Sequence, residues 1–126
     1  MLLDSSVFIR WSRQRQNPAR TLRVYVRRGE LKTCGVVRAE VLRGTSDPAR
    51  RIELLTLFST MEDIPTNFDV WEKVAMLAWT LDRQGKILPL PDIIIAACAL
   101  EVDVPLVTFD GHFASVPGLT VYSDLP

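Results

Sequence analysis

The chain has 126 residues, 48% of them hydrophobic, which suits a single domain, residues 1–126, with a real core and excludes a disordered chain. Lys plus Arg and Asp plus Glu balance at 15 each, so no overall field draws in nucleic acid; this argues against a non-specific binder but leaves room for an enzyme that engages one strand locally. Met1-Leu2-Leu3 reaches an acid at once, unlike a signal peptide, and the longest apolar run, Ile93 to Leu100, is too short to span a bilayer.

Met1-Leu2-Leu3 reads as a short buried strand, and Asp4-Ser5-Ser6 as its end passing into a helix start, since all three residue types cap helices. Val7, Phe8, Ile9 and Trp11 give that helix an apolar side, and Asn17-Pro18 breaks it. A second helix is expected from Pro18 to about Arg28, with Leu22, Tyr25 and Val26 inward and Gly29 closing it. Leu31-Lys32-Thr33 follows as a strand, then a helix from Val36 to Arg43 stopped at Gly44. Glu40 falls three residues after Val37, on or beside the apolar side of that helix, where a solvent-facing Glu would not sit.

Asp47-Pro48 opens a helix to about Thr60, with Ile52, Leu55 and Phe58 as its inward set. Met61 to Ile64 is a weak strand. After the turn at Pro65-Thr66-Asn67 comes the longest helix, to about Arg83, with Val70, Val74, Leu77, Ala78 and Leu81 at helical spacing. Trp71 and Trp79 lie off that stripe and suit a neighbouring element or an interface. Lys86 to Leu90 is extended, because each proline disfavours helix in the residue before it. Pro91-Asp92 starts an apolar helix through Leu100, Val104 to Thr108 is a strand, Asp110 to Phe113 a loop or helical turn, and Leu119 to Val121 a last strand. Cys34 and Cys98 have no CxxC neighbour and read as buried thiols of a reducing cytoplasm.

This order predicts a three-layer α/β/α sandwich around a mostly parallel sheet, with right-handed crossovers. Sites in such folds lie beyond the carboxyl ends of the strands. Asp4 and Asp110 both follow strands, Asp92 opens a helix, and Glu40 can reach back from its helix. Each has a plainer reading: a cap for Asp4, a first-turn acid for Asp92, a turn for Asp110-Gly111, an edge residue for Glu40. Taken together they make a carboxylate set suited to Mg²⁺ or Mn²⁺, and four such groups crowded together repel one another unless a cation sits among them. Such a cation polarises a phosphodiester and activates a water. The chain has neither GxGxxG nor GK[ST], which counts against a phosphate-cradling enzyme of another class.

The residues quoted next carry a resemblance. Asp4-Ser5-Ser6 after an apolar run, Glu40 within Val36-Val37-Arg38-Ala39-Glu40-Val41, Asp92 within Leu90-Pro91-Asp92-Ile93-Ile94-Ile95-Ala96-Ala97-Cys98-Ala99, and Leu106-Val107-Thr108-Phe109-Asp110 followed by His112-Phe113 stand in order along nearly the whole chain. In these four motifs the chain resembles the PIN-domain nucleases, specifically the toxins of VapBC-type toxin–antitoxin pairs. The resemblance implies an endoribonuclease using Mg²⁺ or Mn²⁺, acting on structured RNA such as tRNA or rRNA. Asp4, Glu40, Asp92 and Asp110 would hold the metal, and Ser6 and Thr108 would orient an acid or a water. It also implies a VapB-like antitoxin that blocks the site with an Arg or Lys, and a homodimer that assembles with it into a heterooctamer. The alternative is a non-catalytic RNA- or partner-binding protein of the same fold.

His112, the only histidine, stands where many relatives carry another acid. It reads as a loop residue beside Phe113, an outer donor to the metal site, or a phosphate contact. Arg10, Arg13, Arg15, Arg20, Arg23, Arg27 and Arg28 crowd the first helices; they line an RNA path, face water, or meet an acidic antitoxin segment. Trp11 and Tyr25 suit base stacking, an antitoxin anchor, or the core.

Overall fold

A computed structural model describes all residues, Met1–Pro126. Five strands, β1 (Leu2–Leu3), β2 (Lys32–Cys34), β3 (Glu62–Ile64), β4 (Leu106–Val107) and β5 (Val121–Tyr122), form one sheet in the order β3-β2-β1-β4-β5. Every pairing is parallel, with Leu2 opposite both Lys32 and Leu106. The helices are α1 (Ser5–Arg13), α2 (Pro18–Thr21), α3 (Arg23–Arg27), α4 (Gly35–Arg43), α5 (Pro48–Ser59), α6 (Phe68–Arg83) and α7 (Leu90–Glu101), with a 3₁₀ turn at Gly111–Ser115.

The chain steps from β1 outward to β2 and β3, then returns past β1 to β4 and β5. Right-handed crossovers in opposite directions put their helices on opposite faces, so α1 to α5 cover one face and α6 with α7 the other. The result is the three-layer α/β/α sandwich. The step direction reverses at β1, so a crevice opens beyond its carboxyl end. Asp4 sits directly there.

The innermost helix is α7. Ile93 through Ala99 are buried without interruption, as expected of a helix apolar on all sides. Its small residues Ala96, Ala97 and Ala99 admit the neighbours closely, and α6 lies along it through Val70, Val74, Leu77 and Leu81, all buried. The opposite side of α6 leaves Phe68, Trp71, Met76 and Trp79 exposed. Trp11 is core, 6% exposed, and meets Phe8 edge-on. Cys34 and Cys98 are buried free thiols.

Three expectations change in detail. The helix expected from Pro18 to Arg28 is two short helices jointed at Leu22, whose side chain is fully buried. The inward face of α5 is Leu54, Leu57 and Phe58, while Ile52 is 64% and Leu55 39% exposed. Apolar residues stand at several angles around this helix, so periodicity alone left its face ambiguous; Phe58 is inward as expected and packs on Phe8 with ring centroids 5.3 Å apart, but Leu54 and Leu57 take the places beside it. Paired strands are also shorter than the apolar runs that contain them. Val104 to Thr108 contributes only Leu106–Val107 to the ladder, and the last strand falls at Val121–Tyr122.

Candidate metal centre

Asp4 is the first residue past β1 and the N-cap of α1. It is 3% exposed, so its carboxylate must be satisfied from within the protein. Almost all that satisfaction falls on one oxygen. Oδ2 accepts from Ser6 Oγ at 2.6 Å, from Thr108 Oγ1 at 2.9 Å and from the Ser6 amide at 3.4 Å. Each hydroxyl has one proton, and both protons go to Oδ2. The hydroxyl oxygens in turn accept amides of the facing loop: Phe109 N–H donates to Ser6 Oγ at 3.2 Å and Asp110 N–H to Thr108 Oγ1 at 3.0 Å. Asp4 Oδ1 has only the Ser5 hydroxyl, at 3.5 Å. The capping role and a ligand role are therefore compatible: one oxygen is tied to the fold and the other is left open.

The Ser5 hydroxyl lies closer to Glu40, 3.2 Å from Oε1, and so links the start of α1 to α4. On the other side of the crevice, Asp92 in the first turn of α7, Asp110 and His112 bring one ligand atom each within 4.8 Å of one another. Asp110 also caps the 3₁₀ turn by accepting the His112 amide at 2.9 Å. That turn folds the His112 ring back, with Nδ1 3.2 Å from Asp110 Oδ1 and 3.8 Å from Asp92 Oδ2.

Electrostatics join the two halves. The Asp92 carboxyl is pushed up from 3.8 to about 6. Burial is the largest cause, followed by repulsion from Asp4, Asp110 and Glu40, and partly countered by His112. A carboxyl held up by burial and, after it, by three nearby carboxylates marks a place where a cation would relieve the repulsion. The donors are mostly carboxylate oxygens with one imidazole, a set that fits a hard divalent cation such as Mg²⁺ or Mn²⁺.

A family model described as the PIN domain matches residues 1–119. The chain belongs to the PIN-domain family. Its sequence is 32% identical over 122 residues to Ribonuclease VapC5 of Mycobacterium tuberculosis, across 93% of this chain and 87% of that protein, which places it in the VapC branch. Solved structures share the fold. VapBC-5 of Mycobacterium tuberculosis superposes with a TM-score of 0.63 at 25% identity, covering 96% of this chain and 94% of that one. VapBC2 of Rickettsia felis, bound to a DNA fragment from its promoter, gives 0.80 at 19% identity over 96% of both chains. FitAcB of Neisseria gonorrhoeae gives 0.70 at 20% identity, over 97% of this chain and 96% of the other.

In this PIN domain the four acids singled out from sequence come to one edge of the sheet. Ser6 and Thr108 both touch Asp4. One residue of the edge was not singled out, and one of the three readings of His112 fails. Ser5 bridges Asp4 and Glu40, and its only sequence signal is a second hydroxyl in the Asp-Ser-Ser cap. His112 does not pack beside Phe113, which is fully buried while the His112 side chain is 62% exposed; it turns to the carboxylates instead. The signal was Asp-x-His, which an Asp-capped turn folds back on itself.

The hydroxyl belt supports a direct test. Thr108→Val keeps shape and burial but removes one of the two hydroxyl protons that hold Asp4 Oδ2 and strands the Asp110 amide. Mn²⁺ affinity by calorimetry is expected to fall about 10- to 100-fold, the usual cost of losing a partner that orients a ligand. An unchanged affinity would mean that the belt serves only the fold.

Proposed function

We propose that this chain is a Mg²⁺- or Mn²⁺-dependent endoribonuclease, the toxin of a toxin–antitoxin pair, which hydrolyses phosphodiester bonds in structured RNA such as tRNA or rRNA. The observation that carries this reading is the gathering of Asp92, Asp110 and His112 with ligand atoms within 4.8 Å of one another, beside Asp4 and Glu40, whose charges add to burial in raising the Asp92 carboxyl. Carboxylates gathered at one crevice suit a cation-assisted phosphodiesterase. The relative named Ribonuclease VapC5 supports the choice of RNA.

Asp4, Glu40, Asp92 and Asp110 are the residues assigned to hold the metal, with His112 within reach as a further donor. A bound divalent ion supplies Lewis acidity at the scissile phosphate and makes water a usable nucleophile near neutral pH. The protein's own part is positioning. Ser6 and Thr108 fix Asp4 through Oδ2 so that Oδ1 faces the crevice. Ser5 fixes Glu40 through Oε1. That leaves Glu40 Oε2, on the longest of the four side chains, to orient the attacking water and accept its proton. Desolvation around Asp92 strengthens every one of these interactions.

The solved VapBC structures, one of them of a toxin–antitoxin system, support a protein partner, which we assign to a VapB-like antitoxin that carries a cation into the acidic crevice. The exposed α6 stripe of Phe68, Trp71, Met76 and Trp79 suits self-association into the homodimer of a larger toxin–antitoxin assembly. No helix is long and apolar enough to cross a membrane, and cytoplasmic action on cellular RNA fits this reading.

Purified protein is expected to cleave structured RNA with Mg²⁺ or Mn²⁺ and to stop with EDTA. Asp4→Asn protein with an unchanged circular dichroism spectrum is expected to lose about 10²-fold or more in rate, the scale for removing one electrostatic stabiliser from an active site. Undiminished cleavage by that variant would refute the assignment.

A further inference from the structure

A chain with 15 basic and 15 acidic residues has no general attraction for RNA, and an acidic crevice repels it locally. An RNA-cleaving enzyme of this composition needs individually placed cations beside the crevice. Two arginines meet that need. Arg10 and Arg13, both exposed on α1, line a groove of about 410 Å³ together with Ser6, Ile9, Phe109, Asp110 and Gly111. The groove therefore opens onto Asp110, one of the acids, and onto Ser6, which bonds Asp4. Neither arginine takes part in an ion pair, although other basic residues, Lys32, Arg38 and Lys73, do.

Arg10 is nonetheless held. Its guanidinium carbon lies 3.8 Å from the centre of the Phe109 ring. Stacking of this kind fixes the plane of the guanidinium and leaves its N–H edge free to donate. Phe109 is itself anchored, because its amide donates to Ser6 Oγ, the same hydroxyl that orients Asp4. The position of one cation is thus geared to the position of a metal-site carboxylate. A second groove, of about 440 Å³, shares Arg10 and Phe109 with the first and is lined also by Gln14, Gln16, Ser123 and Asp124. The Arg10–Phe109 pair is the ridge between the two.

We propose that Arg10, stacked on Phe109, grips an RNA phosphate flanking the scissile one, with Arg13 as the next cation along the strand. The inference rests on the ribonuclease reading for its ligand. It assigns backbone recognition, which sets the register of the strand, and no base selectivity. A planar fork already fixed in orientation loses little entropy on binding a phosphate.

The test measures binding apart from cleavage. A fluorescein-labelled single-stranded RNA is titrated with intact protein in EDTA at several salt concentrations, and KM and kcat are measured separately with Mn²⁺. Arg10→Ala is expected to weaken binding about 5- to 10-fold and to reduce the slope of log affinity against log salt by about 0.7, the value for one phosphate contact on a single strand. Arg10→Lys keeps the charge but not the fork, and Phe109→Leu keeps the bulk but not the ring; both are expected to fall between. KM should rise with kcat nearly unchanged. Arg83→Ala is the control: Arg83 stacks on Trp79 with the same charge and chemistry but lines neither groove, and its loss should leave binding and slope as they were.

Equal effects of Arg10→Ala and Arg83→Ala would overturn the proposal, reducing Arg10 to one charge among many. A lower kcat with unchanged RNA affinity would also overturn it and make Arg10 a structural support for the loop. RNA affinity unaffected by Arg10→Ala, while a Glu-rich peptide loses its binding, would give the ridge to an acidic protein segment instead. If the wild-type protein binds RNA through Arg10 yet cleaves none with either metal, the ribonuclease reading fails and the phosphate contact stands.

Discussion

Asp92→Asn is expected to abolish RNA cleavage and, without metal, to make the protein melt at a higher temperature than wild type. The two effects have one cause. Asp92 ionises at about 6 in the folded protein against an ordinary 3.8. Above pH 6 the carboxylate is charged whether the chain is folded or not, and the folded state carries the added cost of burial and repulsion. The group binds a proton more tightly when folded, so its contribution to stability falls as pH rises from about 4 to about 6 and is constant beyond. A shift of this size is worth on the order of 3 kcal/mol. Asparagine removes the charge at the price of an imperfectly paired amide, so a net gain of about 1–2 kcal/mol is expected, or roughly 3–8 °C for a domain of this size. Saturating Mn²⁺ should reverse the order, because only the wild-type site gains the stabilisation of tight binding. Differential scanning calorimetry in EDTA and in Mn²⁺ measures both. The order in EDTA should reverse below pH 4, where Asp92 is protonated in either state and only the cost of the imperfectly paired amide remains. A variant that melts below wild type in EDTA at pH 7.5 would show that Asp92 is not held under repulsion.

Metal binding should itself be strongly pH-dependent. A cation and a proton compete for Asp92, so affinity is expected to rise about tenfold per pH unit below 6 from this group alone and to flatten above it. Near pH 5.5 binding should release most of one proton. Calorimetry in two buffers of different ionisation heat counts the protons released, and zero release at pH 5.5 would show that the ion binds elsewhere. The acid limb of the pH–rate profile should follow the same competition when metal is limiting and shift to lower pH as Mn²⁺ is raised.

Arrangement within elements was largely legible before any contact was known. The unbroken run from Ile93 to Ala99 announced a helix buried on every side, and Val70, Val74, Leu77 and Leu81 announced the inner stripe of α6; both are observed. Asp4 and Asp47 cap the helices that follow, as expected of residues whose side chains bond amides two or three positions on; Asn17 and Asn67, read as a break and a turn, cap theirs as well. These signals are local, set by repeat length and by short-range hydrogen bonding. Where the local signal was degenerate, as around α5, it misled: apolar residues at 52, 54, 55, 57 and 58 allow more than one inward face, and only packing in the folded chain chose Leu54 and Leu57 over Ile52 and Leu55.

By itself the sequence determined that there would be helices around a parallel sheet and that acids would follow strand ends. It also held the four motifs of a known family. Tertiary structure alone decided which atom of each acid is free. Asp4 Oδ2 is closed by Thr108, 104 positions away in the chain, and that contact exists only because β1 pairs with β4. The Ser5 bridge to Glu40, the approach of His112 to Asp92, and the seat of Arg10 on Phe109 have the same origin. Each joins segments brought together by strand pairing and helix packing. Such contacts carry no periodicity along the chain, because they depend on distances that arise only once the sheet has closed its order.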